Sequence, residues 1–405
     1  MKILVLNCGS SSVKFQLIET EGDSGPTERD RKLLSGLVDR LGNHATFRLK
    51  SNDKNAPVVE ESLSVRDQEA AVRLIIERLG MSAGGTRAVD AVGHRVVHGA
   101  NLFTSAAVID DEVLGRIESL NELAPLHNPA SVSGIHAARK VLGASVPMTA
   151  VFDTAFHHTI PDVAATYAIP DELSNKHGIR RYGFHGLAHR YSLLRYSEIA
   201  GIPEKQINLV TLHLGNGCSG CAIRAGESVD TSMGFTPLEG LVMGTRSGDL
   251  DPALVSFLAR KENVTAAEVE RWLNERSGLR GLSGISNDMR ELIAASKDDA
   301  RARLAVDVFC YRARKYLGAY MAVIGVANAV IFSGGIGENA TTVREKICEG
   351  MEWCGVVLDK VKNDSTIGAE VCISPTGARS AVYVIPSDEE AIIARETARL
   401  FQSGS

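Results

Sequence analysis

Apolar residues recur with two different periods along the chain, and the shorter period, of two residues, occurs near the N-terminus. Residues 2–6 are a short apolar run, and residues 13–17 alternate apolar with polar side chains, as a half-buried strand does. Small polar residues lie between the two segments, at 7–12. The pattern predicts a β-hairpin with a small-residue turn at the N-terminus.

The longer period, with apolar residues three or four positions apart, alternates with strand-like runs over the rest of the chain. We predict strands at the apolar runs near 33–38, 45–50, 91–98, 146–152, 208–214, 221–224 and 329–332. We predict helices over 66–79, 128–142, 253–260, 265–276, 299–325, from about 339, and over 391–401. Residues 21–32 indicate a surface loop, residues 333–337 a turn, and Ser387 with Glu390 a capping box. Such alternation is typical of an α/β protein.

The arrangement of strand, small-residue turn and strand occurs twice. Residues 6–11 read Leu-x-x-Gly-x-Ser, and residues 214–219 read the same. A repeated segment of this kind suggests duplication of a larger unit. We therefore expect two related domains, each presenting a Gly/Ser turn toward one shared cleft.

The composition is ordinary for a globular protein, because 44% of the 405 residues are hydrophobic and 23% are charged. At about 150 residues per domain, this length allows two or three domains. The formal net charge of −5 provides no overall basic field, which argues against nucleic acid or an anionic membrane as a partner. Residues 317–337 are uncharged and long enough to cross a bilayer, but Gly and Asn interrupt them. A buried helix, a buried strand and a glycine turn in series explain them better.

Seven scattered cysteines without a signal-peptide pattern favour a reducing compartment, so we expect a cytoplasmic location. The lone C-x-x-C at 218–221 lies across a turn between strands, which is not the helix N-terminus of a redox motif. Two histidine pairs have i,i+4 spacing, His94 with His98 and His185 with His189, but neither belongs to a His-Glu-x-x-His motif. We therefore do not expect zinc.

Small-residue turns can bind phosphate through their backbone N–H groups. The turns at 7–12 and 215–220 and the glycines of 334–337 are candidates, and Lys14 could reach a phosphate as a point charge. Each hairpin turn alone is explained equally well as a tight connection. The three together favour a phosphate or nucleotide site. The site is not a P-loop, because the chain contains no Gly-Lys pair. It is not a dinucleotide-binding loop either, because Ser333–Glu338 does not fit G-x-G-x-x-G.

Charged residues in unusual settings are further candidates. Arg95 lies in an apolar strand, where a guanidinium needs an anion, either in a structural salt bridge or in an anionic substrate. Arg246 lies in a glycine-flanked loop, and His185 lies between glycines, although a lone histidine is more often structural. Asp153 follows a strand, where active-site residues of α/β proteins often lie. Glu389 begins a helix and could simply complement its dipole.

In combination and in this order along the chain, the motifs resemble those of the acetate/propionate kinase family, over nearly the whole length. The segments that carry the resemblance are Asn7-Cys8-Gly9-Ser10-Ser11-Ser12-Val13-Lys14-Phe15, Tyr182-Gly183-Phe184-His185-Gly186, His213-Leu214-Gly215-Asn216-Gly217, Thr236-Pro237-Leu238-Glu239-Gly240, Arg246-Ser247-Gly248-Asp249, Ser286-Asn287-Asp288-Met289-Arg290, Gly334-Gly335-Ile336-Gly337-Glu338-Asn339 and Glu389-Glu390.

The resemblance implies a fold, a reaction and partners. The implied fold is α/β, with two duplicated actin-like ATPase (ribonuclease H-like) domains around a central cleft. The implied reaction is reversible, in-line transfer of the ATP γ-phosphoryl group to acetate, giving acetyl phosphate and ADP, with Mg²⁺ or, as a substitute, Mn²⁺. A homodimer is implied as well. We expect an N-terminal domain over 1–152, with the helix 390–405 packing back on it, and a nucleotide-binding and dimerisation domain over 153–389.

The resemblance also implies roles for the matching residues. The catalytic residues are Asp153, His185, Arg246 and Arg95, of which Arg95 orients the acetate carboxylate while His185 and Arg246 stabilise the transition state. The apolar pocket for the acetate methyl group consists of Val97, Leu126, Phe184 and Pro237. The metal is held by Asn7 and Glu389. The ATP site consists of Lys14, His213, Leu214, Gly215, Asn216, Gly217, Asp288, Met289, Arg290, Gly335, Ile336, Gly337, Glu338 and Asn339.

The chemistry fits these residue types. A carboxylic acid with a pKa of about 4–5 is ionised at pH 7, so the reaction needs cations more than a base. Asp153 is then expected to position water on the metal or to orient an arginine. The sequence departs from the family where Leu187 and Ala188 replace the usual Thr-Ser after His185, which removes two hydroxyls. A second departure, Ser387-Asp388 in place of Thr-Asn, looks harmless.

Other functions are compatible with parts of this pattern. A propionate kinase of the same family is the nearest alternative, because one methylene group discriminates by only ~1–3 kcal/mol. A pyrophosphate-using relative is disfavoured, since the small turn at 334–335 leaves room for adenine. The fold also includes chaperone-type ATPases, but these have a peptide-binding domain after the ATPase part, for which no residues remain here.

Overall fold

A computed structural model of the chain describes residues 1–9, 11–22, 25–53, 57–80, 89–125, 127–143 and 145–402. The chain packs into two compact units. The first unit comprises Met1–His158 with Asp388–Ser405, and the second comprises Thr159–Ser387.

Both units contain strands and helices. The strands are β1 Lys2–Cys8, β2 Ser12–Glu19, β3 Arg31–Asp39, β4 Gly42–Ser51, β5 Val59–Val65, β6 Ala91–Val96, β7 Ala107–Val108, β8 Met148–Phe152, β9 Leu209–Leu214, β10 Cys218–Arg224, β11 Glu227–Thr231, β12 Ala329–Ser333, β13 Val371–Cys372 and β14 Ala381–Val384. The helices are α1 Gln68–Arg78, α2 Asp111–Ser119, α3 Asn128–Leu142, α4 Asp162–Ala165, α5 Asp171–His177, α6 Gly186–Ala200, α7 Ala253–Glu262, α8 Ala266–Glu275, α9 Gly278–Ser283, α10 Met289–Ala295, α11 Ala300–Ile324, α12 Gly334–Asn339, α13 Thr341–Cys348, α14 Lys360–Ser365 and α15 Glu389–Gln402.

The sheet of the first unit joins an antiparallel meander to three parallel strands. Among the described residues its strand order is β5-β4-β3-β2-β1-β6-β8-β7. Strands β1, β6 and β8 are parallel, whereas β1 to β5 pair with antiparallel neighbours. The predicted N-terminal hairpin is confirmed as β1–β2, in which Asn7 is paired with Lys14.

Helices cover both faces of the parallel strands, which is why these strands are continuous apolar runs. Helices α1 and α3 share a core cluster with Leu4, Leu6 and Cys8, the alternate residues of β1. Helix α15 packs against β1, β6 and β8, and the hydroxyls of Thr397 and Thr149 lie 2.6 Å apart. The first residues of α15 are thereby held close to the ends of these strands.

Gly93 of β6 faces α15 at close range. A β-carbon at this position would lie 2.6 Å from Thr397 Oγ1 and 2.7 Å from Ile393 Cγ2. We expect Gly93→Ala to lower the free energy of unfolding by about 1–3 kcal/mol, because α15 must shift away from the sheet. Gly115→Ala in α2 is the matched control, since its β-carbon would meet no atom within 4 Å. We expect the control to raise stability by roughly 0.5–1 kcal/mol. Urea denaturation measures both, and a Gly93→Ala protein as stable as the parent would contradict this packing.

The second unit repeats the central part of the first. Its strand order among the described residues is β11-β10-β9-β12-β14-β13. Strands β9, β12 and β14 are parallel, and β10 and β11 continue from β9 as antiparallel neighbours. Strands β3-β2-β1-β6-β8 of the first unit have the same order and the same directions. The predicted duplication is therefore confirmed in the topology.

The predicted elements are confirmed to within a few residues, with two exceptions and several omissions. The uncharged segment 317–337 is the end of α11, then β12, then the start of α12. Within the described ranges, no helix has the length and apolar character needed to cross a bilayer. The elements that the sequence pattern did not predict are β5, β7, β11, β13, β14, α2, α4, α5, α6, α9, α10 and α14.

The turn predicted over 333–337 is wrong, because α12 begins directly after β12. Gly334 starts this helix with a φ of +75°. The last turn of α12 is held from outside, since the fully buried Arg344 donates to Gly337 O at 2.9 Å and to Glu338 O at 3.0 Å. A tertiary contact therefore stabilises a helix in a sequence whose glycines favour a turn.

The predicted capping box of α15 is also wrong in its capping residue. The side chain that caps the helix is Asp388, whose Oδ1 accepts from the Ala391 N–H at 3.3 Å. Ser387 N–H instead donates to Glu338 Oε1 at 3.0 Å. Both residues are common N-caps, so local sequence alone does not distinguish them.

Candidate active site

Arg95 lies between two carboxylates of the first unit. It is on β6, Asp153 follows the neighbouring parallel strand β8, and Glu389 is the first residue of α15. Its Nε and Nη2 donate to the two carboxylate oxygens of Asp153 at 2.9 and 2.6 Å. Its Nη1 lies 3.2 Å from Glu389 Oε2. The structure thus brings together three of the residues that the sequence singled out.

The electrostatics of this cluster keep Arg95 charged. Burial alone would lower the pKa of Arg95, but Asp153 and Glu389 outweigh it, so its pKa is raised. The side chains of Arg95 and Asp153 are only 18% and 2% exposed. Two of the five N–H groups of the guanidinium donate to Asp153, and Nη1 also lies within ion-pair distance of Glu389. The remaining N–H groups can bind a further anion.

Asn7 and Lys14, which form a pair across the β1–β2 hairpin, lie next to a third carboxylate. Lys14 Nζ lies 2.8 Å from Glu390 Oε1, and the Glu390 side chain is 3% exposed. Burial lowers the pKa of Lys14, but Glu390 raises it more, so its pKa is raised overall. Sequence patterns alone did not indicate Glu390 as a partner of Lys14, because only the packing of α15 on the sheet brings the two side chains together.

His185 and Arg246 approach the same glycine of the second unit. A β-carbon at Gly217 would lie 3.3 Å from His185 Cε1 and 3.7 Å from Arg246 Nη1. Gly217 belongs to the turn between β9 and β10, which is the second of the duplicated turns. His185 precedes α6 in the left-handed region, with a φ of +57°. A glycine here lets the imidazole and the guanidinium both approach the turn closely.

Arg246 has no acidic partner within the part of the chain that the structure describes. The partners of Nη1 are Pro237 O at 3.4 Å and Met243 Sδ at 3.9 Å. Burial lowers the pKa of this guanidinium, and no carboxylate compensates. A partly buried cation beside a small-residue turn is the arrangement that an anionic ligand requires.

Polar partners hold the histidines of the second unit. His185 Nδ1 lies 2.9 Å from Ser219 Oγ, and His213 Nδ1 lies 3.2 Å from Ser333 Oγ. The rings of His185 and His213 are 4.9 Å apart between centroids. Ser219 and Ser333 are fully buried. The sequence missed both serines, because each looked like part of a small-residue turn.

Leu187 and Ala188 stand where the family usually has Thr and Ser, and their apolar side chains cannot form a hydrogen bond with the ring of His185. Leu187 and Ala188 lie in the first turn of α6 and are buried among apolar side chains. The hydroxyl next to His185 comes from Ser219 on β10. His185 therefore has a hydroxyl partner even though Leu187 and Ala188 replace the usual Thr and Ser.

A cavity of about 850 Å³ lies in the second unit, which is within the size range of small-molecule sites. The turn after β9, the start of α10, and α12 with the start of α13 form its walls. The predicted ATP-site residues that line it are Gly215, Asn216, Asp288, Met289, Arg290, Gly335, Ile336 and Asn339. The lining residues that the sequence missed are Asn287, Ile293, Ala340, Thr341, Thr342 and Ile367.

Other predicted ATP-site residues lie elsewhere in the structure. Glu338 points back to the backbone, where its Oε1 accepts from Gly334 N–H at 2.9 Å. Lys14 belongs to the first unit. The remaining ones that do not line the cavity are His213, Leu214, Gly217 and Gly337.

The polar rim of the cavity is held by a salt bridge. Arg290 donates to Asp288 Oδ2 and to Oδ1 at 2.5 and 3.0 Å. These hydrogen bonds lower the pKa of Asp288 to about 2. Asn216 is fixed as well, because its Oδ1 accepts from Asn287 Nδ2 at 3.0 Å. A β-carbon at Gly244 would lie only 2.0 Å from that same oxygen, so a larger residue there would displace the Asn216 side chain.

The residues predicted for the acetate methyl pocket are distributed over both units. Val97 follows β6 in the first unit and is partly exposed. Phe184 and Pro237 belong to the second unit, where Phe184 is buried and Pro237 O accepts from Arg246. Leu126 lies outside the described residues.

The whole chain is similar to known kinases. The sequence profile of the Acetokinase family matches residues 2–395. An acetate kinase of Chloroherpeton thalassium is 50% identical, with 98% of this chain and 99% of that protein covered. The crystal structure of Porphyromonas gingivalis acetate kinase superimposes with a TM-score of 0.91 at 41% identity, covering 99% of each chain. A propionate kinase from Francisella tularensis gives 0.88 at 38% identity, covering 98% of each chain.

These similarities confirm the fold class that the sequence predicted, two duplicated α/β domains of the actin-like ATPase type. They also confirm the resemblance drawn from the motifs, since the matches extend over nearly all of the sequence rather than one domain. The chain belongs to the acetokinase family.

Proposed function

We propose that this protein transfers the γ-phosphoryl group of ATP to acetate by direct in-line displacement, reversibly, giving acetyl phosphate and ADP. The observation that carries the proposal is Arg246. It is a partly buried cation without a carboxylate partner in the described residues, and it lies beside Gly217 together with His185. An anion that binds there would complete the site.

The nucleotide is assigned to the 850 Å³ cavity of the second unit. The backbone N–H groups of Asn216 and Gly217 would face its phosphates, since that of Gly215 already donates to Gly217 O at 3.0 Å. Apolar walls such as Ile293 and Ile336 would contact the base. His185 and Arg246 would donate hydrogen bonds to the equatorial oxygens of the transferring group, where negative charge lies in a loose in-line transition state.

Acetate is assigned to Arg95. The N–H groups that Asp153 and Glu389 leave unused can bind its carboxylate, and Val97 follows on the same segment for contact with the methyl group. Because acetate is already ionised at pH 7, no base is needed. In this proposal Asp153 is a positioning residue that orients Arg95, since it binds the guanidinium through both carboxylate oxygens.

The proposed cation is Mg²⁺, with Mn²⁺ as a substitute. Asn7 and Glu389 would hold it, and their amide and carboxylate oxygens are the hard donors that Mg²⁺ prefers. Within the described residues no cluster of three His, Cys, Asp or Glu side chains could hold a metal alone. Mg²⁺ in kinase sites commonly takes one or two protein carboxylates and completes its shell with water and substrate phosphate oxygens. When bound, the ion would neutralise charge on the transferring phosphates.

Acetate is preferred over propionate as the proposed substrate because the relative at 50% identity is an acetate kinase, whereas the propionate kinase is 38% identical. The homodimer remains a prediction of the family resemblance, and the cytoplasmic location remains a prediction from the scattered cysteines.

The experiment is ADP release from ATP and Mg²⁺ with acetate, propionate, butyrate or no acid, with acyl phosphate trapped by hydroxylamine. We expect acetate-dependent acyl phosphate and lower kcat/KM for longer acids, by ~10- to 200-fold for one methylene. A preference for propionate would assign the protein to the propionate kinases. ATP hydrolysis without acyl phosphate would overturn the proposal.

A further inference from the structure

Ser219 lies between two imidazole rings in the interior of the second unit. Its Oγ is 2.9 Å from His185 Nδ1 and 2.8 Å from His189 Nε2. His189 Nδ1 in turn lies 2.7 Å from Thr211 Oγ1. Thr211, His189 and Ser219 are fully buried. We call these three residues with His185 the imidazole–hydroxyl chain.

The fold fixes all four members. His185 is the N-cap of α6, and its backbone C=O accepts from His189 N–H at 3.1 Å, so the two histidines lie one turn apart at the start of the helix. Ser219 and Thr211 are on the adjacent antiparallel strands β10 and β9, with Ser219 paired to His213 and Thr211 paired to Cys221. Helix α6 packs on β9. No member is on a free loop, so the distances between them are set by secondary structure and packing.

A hydroxyl group donates only one hydrogen, and this limits the possible proton arrangements. If Ser219 donates to His185 Nδ1, it must accept from His189 Nε2–H, and Thr211 then donates to His189 Nδ1. If the order is reversed, His185 carries its proton on Nδ1, and every other hydrogen bond reverses with it. The chain therefore allows two arrangements, and only in the first does His185 carry its proton on Nε2, the nitrogen that does not face Ser219.

The geometry points to Ser219 as a positioning residue that keeps His185 as the Nε2–H tautomer. This inference rests on the proposed function, in which His185 donates a hydrogen bond to the transferring phosphoryl group. Arg246 supports the neutral ring, because its guanidinium and His185 approach the same position at Gly217, where a second positive charge is disfavoured. In a neutral ring with an accepting Nδ1, the donor is Nε2.

The test combines kinetics with NMR of the full-length protein labelled with ¹⁵N-histidine. Long-range ¹H–¹⁵N correlations show which nitrogen of each ring carries the proton, and loss of one signal set in His185→Gln assigns His185. We expect an Nε2–H tautomer in the parent protein. In Ser219→Ala we expect a mixture of the two tautomers of His185. We expect kcat to fall ~10- to 100-fold, which is less than the fall caused by removing a transition-state hydrogen-bond donor outright. The KM for ATP should be unchanged.

Matched variants separate positioning from stability. His189→Gln keeps an N–H donor toward Ser219, so it should retain the Nε2–H tautomer and most of kcat, whereas His189→Leu should lose both. Ser192→Ala removes another buried hydroxyl of α6, which donates to Ala188 O at 3.0 Å, and should change neither readout. If Ser219→Ala does not fold, the two His189 variants decide the question.

Two results would overturn the inference. One is a proton on Nδ1 of His185 in the parent protein. The other is a folded Ser219→Ala protein with unchanged kcat and an unchanged tautomer. If the parent forms no acyl phosphate, the proposed function fails, and the tautomer spectra still decide whether Ser219 sets the state of His185.

Discussion

Replacing Arg246 by methionine is expected to lower kcat for acetyl phosphate formation by about 10³-fold or more while leaving Tm unchanged or higher. The loss in rate follows from the proposed role, because an arginine that stabilises the charge of a transferring phosphoryl group contributes about 10³–10⁵ in kcat. Methionine keeps the apolar stem of the side chain and removes only the charged group.

The expected stability has a separate cause. Burial lowers the pKa of Arg246, and within the described residues no carboxylate lies within ion-pair distance. A cation in that setting destabilises the folded protein, so its removal relieves the penalty. The opposite responses of activity and Tm would identify Arg246 as a residue kept for function rather than for folding.

Arg181→Met is the matched control for stability. Arg181 is also a partly buried arginine of the second unit, but it pairs with Glu239 at 2.6 Å and donates to the carbonyls of Thr231, Ser232 and Met233. Breaking such a pair leaves Glu239 without its cationic partner and is expected to cost about 3–5 kcal/mol at full burial. The cost should be less here, because Glu239 is partly exposed and still accepts from the Tyr167 hydroxyl. Scanning calorimetry and the hydroxylamine assay test both variants. An Arg246→Met protein that loses as much Tm as Arg181→Met would contradict the argument.

The fold could be predicted where local periodicity and burial agree. The period of two at the N-terminus predicted the β1–β2 hairpin, and the repeated turn predicted the second one at β9–β10. Strand β5 was missed because it is mostly exposed and polar, and only Leu63 and Val65 near its end pack on the core. Helix α6 was missed for the opposite reason, since it buries apolar, histidine and serine residues on several sides and has a weak helical pattern.

The site could be predicted where a residue type conflicts with its surroundings. Arg95 stood out as a charge in an apolar strand, and Arg246 as a charge among glycines. Ser219 and Glu390 could not be found this way, because a serine in a turn and a glutamate in the first turn of a helix are unremarkable locally. Their contacts with His185 and Lys14 arise only when α6 packs on β9 and α15 packs on the first sheet.

Replacing Asp153 by asparagine is expected to lower both stability and the affinity for acetate. Asparagine keeps the shape of the side chain but removes the charge that Arg95 binds at 2.6 and 2.9 Å. Because Asp153 is 2% exposed, the loss should cost roughly 3–5 kcal/mol of unfolding free energy, reduced by the attraction that Glu389 still provides.

Kinetics of the same variant distinguish a positioning residue from a base. If Asp153 orients Arg95, the KM for acetate rises by ~10-fold or more while the KM for ATP is unchanged, because only the carboxylate site is disturbed. If Asp153 removed a proton, kcat would fall without a selective change in the KM for acetate. An ionised substrate has no proton to give, which is why we expect the first pattern.

Glu60→Gln is the matched control, since it makes the same change of carboxylate to amide beside an arginine of the same unit. Glu60 lies 3.0 Å from Arg48, but both side chains are more than half exposed. Exposed pairs contribute ~0.2–1 kcal/mol, so this variant should be nearly as stable as the parent and equally active. Near-full activity and unchanged stability of Asp153→Asn at saturating Mg²⁺ would show that the bidentate contact with Arg95 serves neither folding nor acetate binding, and Arg95 would then have to be oriented by Glu389 alone.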